Sequence, residues 1–474
     1  MTNLDCTATE RDEAWKTLLQ SLENFYANTK EYRASPALDI ATIKNAVAKN
    51  FDHPLGITAA LHHVVQGLER FTVHTPHPNY YGLFNPRSNF PSILADTIIA
   101  YFNPQLAAWS HAPFAAEIEQ KLVKEFGKKF GYAEDDCDGV FTTGGAEANL
   151  TAVLAALNEH FPGYANDGLR SLPAQPIIYC SHESHHSIVK AAKIAGLGRN
   201  SVREIPVTPQ LQISTTDLAA AIEEDKASGH YPLMIVATMG TTGAGAIDPC
   251  AEIAAIAKKY RLWLHADAAY GGAIALSGTY RHLLHGIDAA DSITFDAHKW
   301  LSVTMSGSLF LTRHKDILDK TFRVTADYMP KEAGSLHITD PFTHSIQWSR
   351  RFIGLKLYLS LLVFGWKGYE EVIDRSMAIG KMLKTKLTAA GWKIFNHTDL
   401  PVICFGKEQY RQDPDEAIKC SQRVIQQGKA WISVYKIGQV NTLRACITNY
   451  ATTEDNLDEL MAALNQAPTL THPE

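Results

Sequence analysis

Hydrophobic residues are spaced in two different ways along this chain of 474 residues. In the first 70 or so residues they recur at helical intervals, as in Leu61, Val64 and Leu68. Between about 139 and 313, short apolar runs of strand length alternate with helical segments instead. Such alternation predicts a largely parallel sheet with helices on both of its faces.

The apolar runs define the predicted elements and, through them, the domains. The predicted strands of the central region are 140–142, 177–180, 234–238, 262–265, 293–295 and 308–312. A long helix is predicted over about 349–364, and two further strands over 402–405 and 443–447. We therefore expect an α/β fold with an N-terminal helical arm (1–75), a large domain (76–379) and a smaller C-terminal α+β domain (380–474).

Composition and charge narrow the class of protein. Hydrophobic residues make up 46% of the chain and charged residues 20%, as in ordinary globular proteins. The net charge is −6 with no basic run, so we expect no nucleic-acid partner. The polar, acidic start and the lack of a long apolar segment predict neither a targeting signal nor a membrane span. Seven scattered cysteines are typical of reduced thiols, so we expect a cytoplasmic protein.

Polar residues follow successive predicted strands, where open α/β sheets bind their ligands. The first run leads into Thr143-Gly-Gly-Ala-Glu-Ala-Asn and then directly into a predicted helix. Glycines allow close approach of an anion, and the N–H groups that begin a helix bind phosphate. A Gly-Gly turn alone is more often a simple chain reversal, so this motif needs support from others.

An acid and a lysine end two neighbouring runs. Asp267 follows 262–265, and a carboxylate at the end of a buried strand needs a cationic partner such as a pyridinium N–H. Lys299 follows 293–295, where a lysine is costly unless it is paired or covalently engaged. The two residues predict a site for an aromatic aldehyde cofactor, and structural ion pairing is the alternative for each.

Two other strand ends add candidates for the same site. Ser181-His-Glu-Ser-His-His-Ser follows 177–180, and its His185 could stack on a planar ring. His182 and His185 could instead bind a metal, although no thiolate pair accompanies them. Thr242, in the glycine-rich turn after 234–238, could donate to a cofactor substituent or simply stabilise that turn.

Taken in order, the five strand-end motifs resemble the pyridoxal-phosphate-dependent group II amino-acid decarboxylases. The motifs are Thr-Gly-Gly-Ala-Glu-Ala-Asn, Ser-His-Glu-Ser-His-His-Ser, Ala-Thr-Met-Gly-Thr-Thr-Gly, His-Ala-Asp-Ala-Ala-Tyr-Gly-Gly and Asp-Ala-His-Lys-Trp-Leu. The resemblance covers roughly 75–460 and extends to aromatic-L-amino-acid, histidine and diaminobutyrate decarboxylases. It implies the aspartate-aminotransferase-like fold (fold type I), pyridoxal 5'-phosphate as cofactor, an amino acid as small-molecule substrate, no metal, and a homodimer with shared active sites.

The resemblance also implies roles for individual residues. Lys299 is similar to the lysine that forms the Schiff base, Asp267 to the partner of the ring nitrogen, and His185 to the stacking histidine. The remaining cofactor-binding positions that it implies are Gly144, Gly145 and Ala146 at the phosphate, with Thr242, Ala269, Asp296 and His298 around the ring.

Tyr328 carries the prediction of the reaction. It falls where decarboxylases of this family have the loop tyrosine that protonates the substrate carbon, whereas the related aldehyde synthases usually have phenylalanine. We therefore expect an amino-acid decarboxylase. The alternatives are an aldehyde synthase or aminotransferase on the same fold, a catalytically silent pyridoxal-phosphate-binding subunit, and a His/Asp metal hydrolase.

The substrate is predicted only by class. Residues Leu83, Phe84, Asn85 and Pro86 lie in a region similar to the family's substrate wall. Gln105 and Ala107 fall where the aromatic enzymes carry larger apolar residues from the partner chain, and Ser349 matches the serine of animal histidine decarboxylases. Arg444 is a candidate for binding the substrate carboxylate, or else an ordinary strand-end arginine. Residues 83–86 predict an apolar slot with an amide, Gln105 and Ala107 count against a simple aromatic substrate, and Ser349 favours an imidazole. We expect an aromatic or imidazole-bearing amino acid.

Overall fold

A seven-stranded sheet forms the centre of the computed structural model, which describes residues 4–324 and 338–465. Its strands are β1 (Asp138–Thr142), β2 (Pro176–Ser181), β3 (Val202–Ile205), β4 (Tyr231–Thr238), β5 (Trp263–Asp267), β6 (Ser292–Asp296) and β7 (Ser308–Thr312). They lie in the order β1-β7-β6-β5-β4-β2-β3, and β7 alone among them runs antiparallel to its two neighbours. The prediction of an α/β fold with a mainly parallel central sheet is therefore confirmed.

Helices precede the sheet and cover its two faces. They are α1 (Ala8–Ala27), α2 (Ile40–Val47), α3 (Ile57–Phe71), α4 (Phe90–Phe102), α5 (Pro113–Phe130), α6 (Gly145–His160), α7 (Tyr164–Asp167), α8 (Ser187–Ile194), α9 (Thr215–Ala227), α10 (Cys250–Tyr260) and α11 (Ile317–Phe322). Two separate apolar clusters pack against the sheet, one containing Phe295 and the other Met234. Because both faces are covered, β5, β6 and β7 are buried at every residue, their polar residues included.

A smaller antiparallel sheet follows the long helix α12 (Gly354–Ala389). Its strands β8 (Lys393–Ile394), β9 (Val402–Gly406), β10 (Ser433–Ile437) and β11 (Val440–Cys446) pack with α13 (Asp415–Gln427) and α14 (Glu454–Asn465). Helix α12 bends at Gly365, whose positive φ of 62° is unfavourable for other residues. The boundary that we expect at 379/380 falls within this helix.

The helical arm is the least buried part of the described chain. Helix α1 begins with a capping box between Thr7 and Glu10 and packs against α3. Neither α2 nor α3 contains a buried residue, and Val64 and Leu68 of α3 are more than half exposed. The apolar face of the arm is thus only partly covered by the rest of the chain. Within 4–324 and 338–465, no helix is both long enough and apolar enough to cross a membrane.

A buried ion pair fixes the start of α12 against α5. Glu119 of α5 accepts hydrogen bonds from Arg350 and from the backbone N–H of Gly354. Both charged side chains are almost fully buried. Each charge therefore depends on the other, because neither can be solvated by water.

We expect Glu119→Ala to lower the free energy of unfolding by about 3–5 kcal/mol, because it leaves a buried guanidinium without its counter-charge. Urea unfolding followed by circular dichroism measures the change. The matched control is Glu125→Ala on the same helix, which removes a surface pair with Lys121 and should cost less than about 1 kcal/mol. Equal losses of unfolding free energy in the two variants would contradict a stabilising role for the buried Glu119–Arg350 pair.

Candidate active site

The carboxyl ends of β5 and β6 bring the acid and the lysine to one edge of the sheet. The two strands are parallel neighbours, and Asp267, the last residue of β5, pairs with Thr294 near the end of β6. The chain leaves β6 at Asp296 and reaches Lys299 three residues later. His185 lies near Asp267, Lys299 and Asp296, and all three influence its pKa.

Lys299 is held by the acid that ends its own strand. Its Nζ lies 3.0 Å from Oδ2 of Asp296, whose Oδ1 accepts a hydrogen bond of 2.6 Å from the hydroxyl of Ser308. His298 lies beside the pair, with Nε2 3.9 Å from the same Oδ2. Burial lowers the pKa of His298, so this ring favours the neutral form. The ion pair therefore localises the amine of Lys299 at the sheet edge.

Asp267 is a buried carboxylate whose hydrogen-bond partners are neutral. Its Oδ2 accepts from Nδ2 of Asn149 at 3.0 Å, and its Oδ1 accepts from the backbone N–H of Ala269 at 3.2 Å. Among the residues that the structure describes, no lysine, arginine or histidine nitrogen lies within 4.0 Å of it. A protonated ring nitrogen is a cationic N–H donor that would complete this environment.

His185 is oriented by hydrogen bonds to its Nδ1. The backbone N–H of Ser187 donates to Nδ1 at 3.2 Å, and the Ser187 hydroxyl lies 2.8 Å from the same atom. Since Nδ1 accepts, the proton of the neutral imidazole is on Nε2. Burial lowers the pKa of His185, which favours that neutral, flat ring.

The turn from β1 into α6 is suited to a phosphate group. Helix α6 has 16 residues and begins at Gly145, with Gly144 as its N-cap and Ala146 exposed at its start. A Cβ on Gly145 would lie 2.9 Å from Oδ2 of Asp296, so the turn approaches the lysine site too closely for a larger residue. The first N–H groups of α6 are donors for an anion, and the helix dipole adds to that preference.

The four-stranded sheet contacts the loop after β4 through Arg444. Arg444 of β11 donates from Nη2 to the carbonyl of Thr242 at 2.6 Å and from Nε to the carbonyl of Gly243 at 2.8 Å. Its Nη1 contacts the Gly82 carbonyl and the Ser433 hydroxyl. These contacts engage most of the guanidinium with the protein itself. They also fix the backbone that carries the Thr242 side chain.

A stack of three aromatic rings lines the neighbourhood of Lys299. The Phe84 and Tyr270 rings lie 3.8 Å apart, and the Tyr270 and Trp300 rings 5.0 Å apart. The Nζ of Lys299 lies 5.8 Å from the centre of the Phe84 ring. Phe84 was identified from the sequence, whereas Tyr270 and Trp300 were missed, although both lie inside the quoted motifs.

The other candidate substrate residues divide between this region and a second cluster. Near Phe84, Pro86 is buried, Asn85 accepts from the Tyr80 hydroxyl at 3.1 Å, and Leu83 is 55% exposed. In the second cluster, Gln105 donates to the Ser349 hydroxyl at 3.2 Å. Ala107 is buried, and its carbonyl accepts from the N–H of Phe342 at 3.0 Å.

Two expectations remain, one for Tyr328 and one for a metal site at His182 and His185. Tyr328 lies outside the described residues. His182 is 3.6 Å from Glu204, and in 4–324 and 338–465 no group of three or more His, Cys, Asp or Glu side chains could hold a metal ion. The donor set around Asp267, His185, Lys299 and the start of α6 instead fits a flat, anionic aldehyde cofactor such as pyridoxal phosphate.

The family model described as the pyridoxal-dependent decarboxylase conserved domain matches residues 43–408. An aromatic-L-amino-acid decarboxylase of Bacillus atrophaeus is 27% identical over 485 residues, which cover 99% of this chain and 98% of that protein. The mouse acidic amino acid decarboxylase GADL1 is 28% identical over 412 residues, which cover 84% of this chain and 74% of the relative.

Solved structures agree with the fold. Mouse CSAD superimposes with a TM-score of 0.90 at 25% identity, covering 97% of this chain and 98% of that one. The Oryza sativa TDC structure with PLP and tryptamine superimposes with a TM-score of 0.92 at 21% identity, covering 98% of both chains. The family match spans most of the chain and agrees with the strand-end geometry. The chain thus belongs to the pyridoxal-dependent decarboxylase family and is a pyridoxal-phosphate-dependent carboxy-lyase.

Proposed function

We propose that this enzyme converts an L-amino acid with an aromatic or imidazole side chain to the corresponding amine and carbon dioxide. The observation that carries the substrate class is the Phe84–Tyr270–Trp300 stack beside Lys299. Tyr270 and Trp300 are buried in the core behind Phe84, so the Phe84 ring is the aromatic surface next to Lys299, and it favours a flat, largely apolar side chain. The similarity to an aromatic-L-amino-acid decarboxylase over almost the whole chain supports the same class.

Arg444 gives a reason to prefer this class over acidic amino acids. A second substrate carboxylate would need its own cation in a partly dehydrated site. Arg444 is the buried guanidinium next to Phe84, at 5.1 Å from the ring centre, and it already bonds to Thr242 and Gly243. The second N–H of Nη2 is left for another acceptor. We propose that Arg444 uses it to bind the α-carboxylate that every amino acid carries.

The other site residues are proposed to bind and orient the cofactor. We propose that the Lys299 amine holds the cofactor covalently, that Asp267 accepts from its ring nitrogen and that His185 stacks on its ring. Gly144, Gly145 and Ala146 would present N–H groups to its phosphate, with Thr242, Ala269, Asp296 and His298 around the ring. The bound pyridoxal phosphate supplies an electron sink for the electron pair left when carbon dioxide departs. Tyr328 would deliver a proton to the substrate α-carbon.

A homodimer is part of the proposal, because the helical arm leaves an apolar face uncovered. Leu19 and Leu22 of α1, and Val64 and Leu68 of α3, are between 45% and 59% exposed. An apolar surface of this kind marks a protein contact. A second copy would cover it.

We also propose a cytoplasmic location. All seven cysteines are free, and six of them are buried thiols distributed through both sheets and their helices. Such thiols are typical of a reducing compartment.

Borohydride reduction of the enzyme with bound pyridoxal phosphate should attach the cofactor permanently to the tryptic peptide that contains Lys299. Reduction labels only the amine that is already bonded covalently to the cofactor. Mass spectrometry of the digest identifies the labelled peptide. The internal control is Lys356, a second buried lysine whose pKa burial lowers and whose Nζ bonds to the Met305 carbonyl. Labelling of the Lys356 peptide, with Lys299 unlabelled, would refute the assignment.

Tyr328→Phe should shift the products from amine toward aldehyde, ammonia and hydrogen peroxide, with oxygen consumed, because the α-carbon then lacks its proton donor. The substrate is first chosen by carbon dioxide release from the twenty amino acids, diaminobutyrate and cysteine sulfinate. Chromatography of products and a peroxide assay measure the shift. Unchanged amine yield would count against Tyr328, whereas fastest turnover of an acidic amino acid would overturn the proposed substrate class.

The double substitution Val64→Glu and Leu68→Glu should convert the enzyme to monomers of about 52.3 kDa, because charges at a buried interface cost more than the contact can offset. Light scattering coupled to size exclusion measures the mass. Ile418→Glu, on the partly exposed α13, is the control and should leave the dimer intact. A wild-type enzyme that is already monomeric would refute the proposed dimer.

A further inference from the structure

Asn149 lies at the centre of a buried hydrogen-bond network behind the candidate cofactor site. It is on α6 and is 1% exposed. Its Nδ2 donates to Oδ2 of Asp267 at 3.0 Å and to the Ser187 hydroxyl at 2.8 Å. Its Oδ1 accepts from the Thr294 hydroxyl at 2.8 Å and lies 3.0 Å from Nε2 of His265. Both hydrogens and both lone pairs of this amide are therefore used.

The orientation of the amide follows from what its partners can do. A carboxylate only accepts hydrogen bonds, so the Nδ2 side of Asn149 must face Asp267. On the other side, Oδ1 needs donors, and His265 can provide one only from a protonated Nε2. The reversed amide would place an oxygen against the carboxylate of Asp267, and the repulsion between the two would be strong in a dry interior.

The far side of His265 is compatible with a proton on Nε2. Its Nδ1 lies 2.8 Å from the Ser292 hydroxyl, which itself accepts from the indole N–H of Trp263 at 2.9 Å. Trp263 can only donate, so the Ser292 hydroxyl is free to donate onward to Nδ1. Burial lowers the pKa of His265 to about 4, which keeps the ring neutral with its proton on Nε2.

The resulting chain of donors has one direction. It runs from Trp263 through Ser292 and His265 to the oxygen of Asn149, whose Nδ2 then donates to Asp267. A branch from the same Nδ2 passes through Ser187 to Nδ1 of His185. The network thus connects the residues proposed to face the ring nitrogen and the ring plane.

We propose that Asn149 is a positioning residue, which orients the Asp267 carboxylate toward the ring nitrogen of pyridoxal phosphate. The inference rests on the role proposed for Asp267 itself. With Nδ2 holding Oδ2 and the Ala269 N–H holding Oδ1, the carboxylate plane is fixed before any cofactor arrives. Fixing it in advance lowers the ordering cost of binding. Asn149 itself reaches the cofactor only through Asp267 and Ser187.

The test is a double-mutant cycle on cofactor affinity, which needs no turnover. Apoenzymes carrying Asn149→Leu, Asp267→Asn or both are titrated with pyridoxal phosphate, and the dissociation constant is obtained from the cofactor absorbance. Loss of a partner that orients a ligating group typically costs about tenfold to a hundredfold in affinity. We expect Asn149→Leu to cost that much in the wild-type background and less than about threefold when Asp267 is already asparagine.

Two further variants separate positioning from simple packing. Asn149→Thr keeps one hydroxyl donor, so it should restore part of the affinity lost in Asn149→Leu. It also serves if the leucine variant does not fold. The matched control is Asn158→Leu on the same helix, because the Asn158 amide bonds only to the Leu154 carbonyl among the described contacts. Its cofactor affinity should match that of the wild type.

The outcomes are distinct. Equal losses from Asn149→Leu in both backgrounds, or no loss in either, would overturn the role of Asn149. If Asp267→Asn alone leaves the affinity unchanged, the proposed role of Asp267 fails first. A loss confined to the wild-type background, together with partial recovery in Asn149→Thr, supports the positioning role.

Discussion

The structure depends on the negative charge of Asp267, which lies at the buried carboxyl end of β5. Asp267 is 6% exposed and is bonded by an amide and a backbone N–H. Neutral donors reduce the cost of burying a carboxylate but do not balance its charge. The polar side chains of Asn149, His265 and Thr294 exist in this apolar interior because that charge must be held. A cationic ring nitrogen would provide the balance, so fold and cofactor are energetically linked.

The loops at the same edge of the central sheet also contact the four-stranded sheet. Arg444 donates hydrogen bonds to the carbonyls of Thr242 and Gly243. The Tyr435 hydroxyl of β10 donates a hydrogen bond to Glu183 in the loop after β2. The Tyr435 ring lies so close to Gly243 that no Cβ would fit there. The loops after β2 and β4 are thus held by residues of β10 and β11. A displacement of the small sheet would be transmitted directly to Thr242.

Much of this arrangement could be predicted from the sequence, for identifiable reasons. Six apolar runs became strands because both faces of the central sheet are covered, so that the apolar residues of each run are buried. Strand β3 was missed because it is a partly exposed edge strand. Asn149, Ser187 and Tyr270 were inside the motifs but went unassigned, since hydrogen bonds between α6, α8 and β5 are not visible in local spacing. Tyr328 lies outside the described residues, so its role remains a prediction from the resemblance.

Strand β7 runs opposite to β6, and this reversal has a mechanical consequence for the lysine. Ser308 begins β7 directly beside Asp296, where β6 ends, so the connection between them starts and finishes at adjacent points. Lys299 therefore sits on a short closed loop whose two ends are joined by the sheet and by the Ser308–Asp296 hydrogen bond. Such a loop has little freedom to translate. Any travel that the amine makes during turnover must come from rotation about the four carbon–carbon bonds of its own side chain.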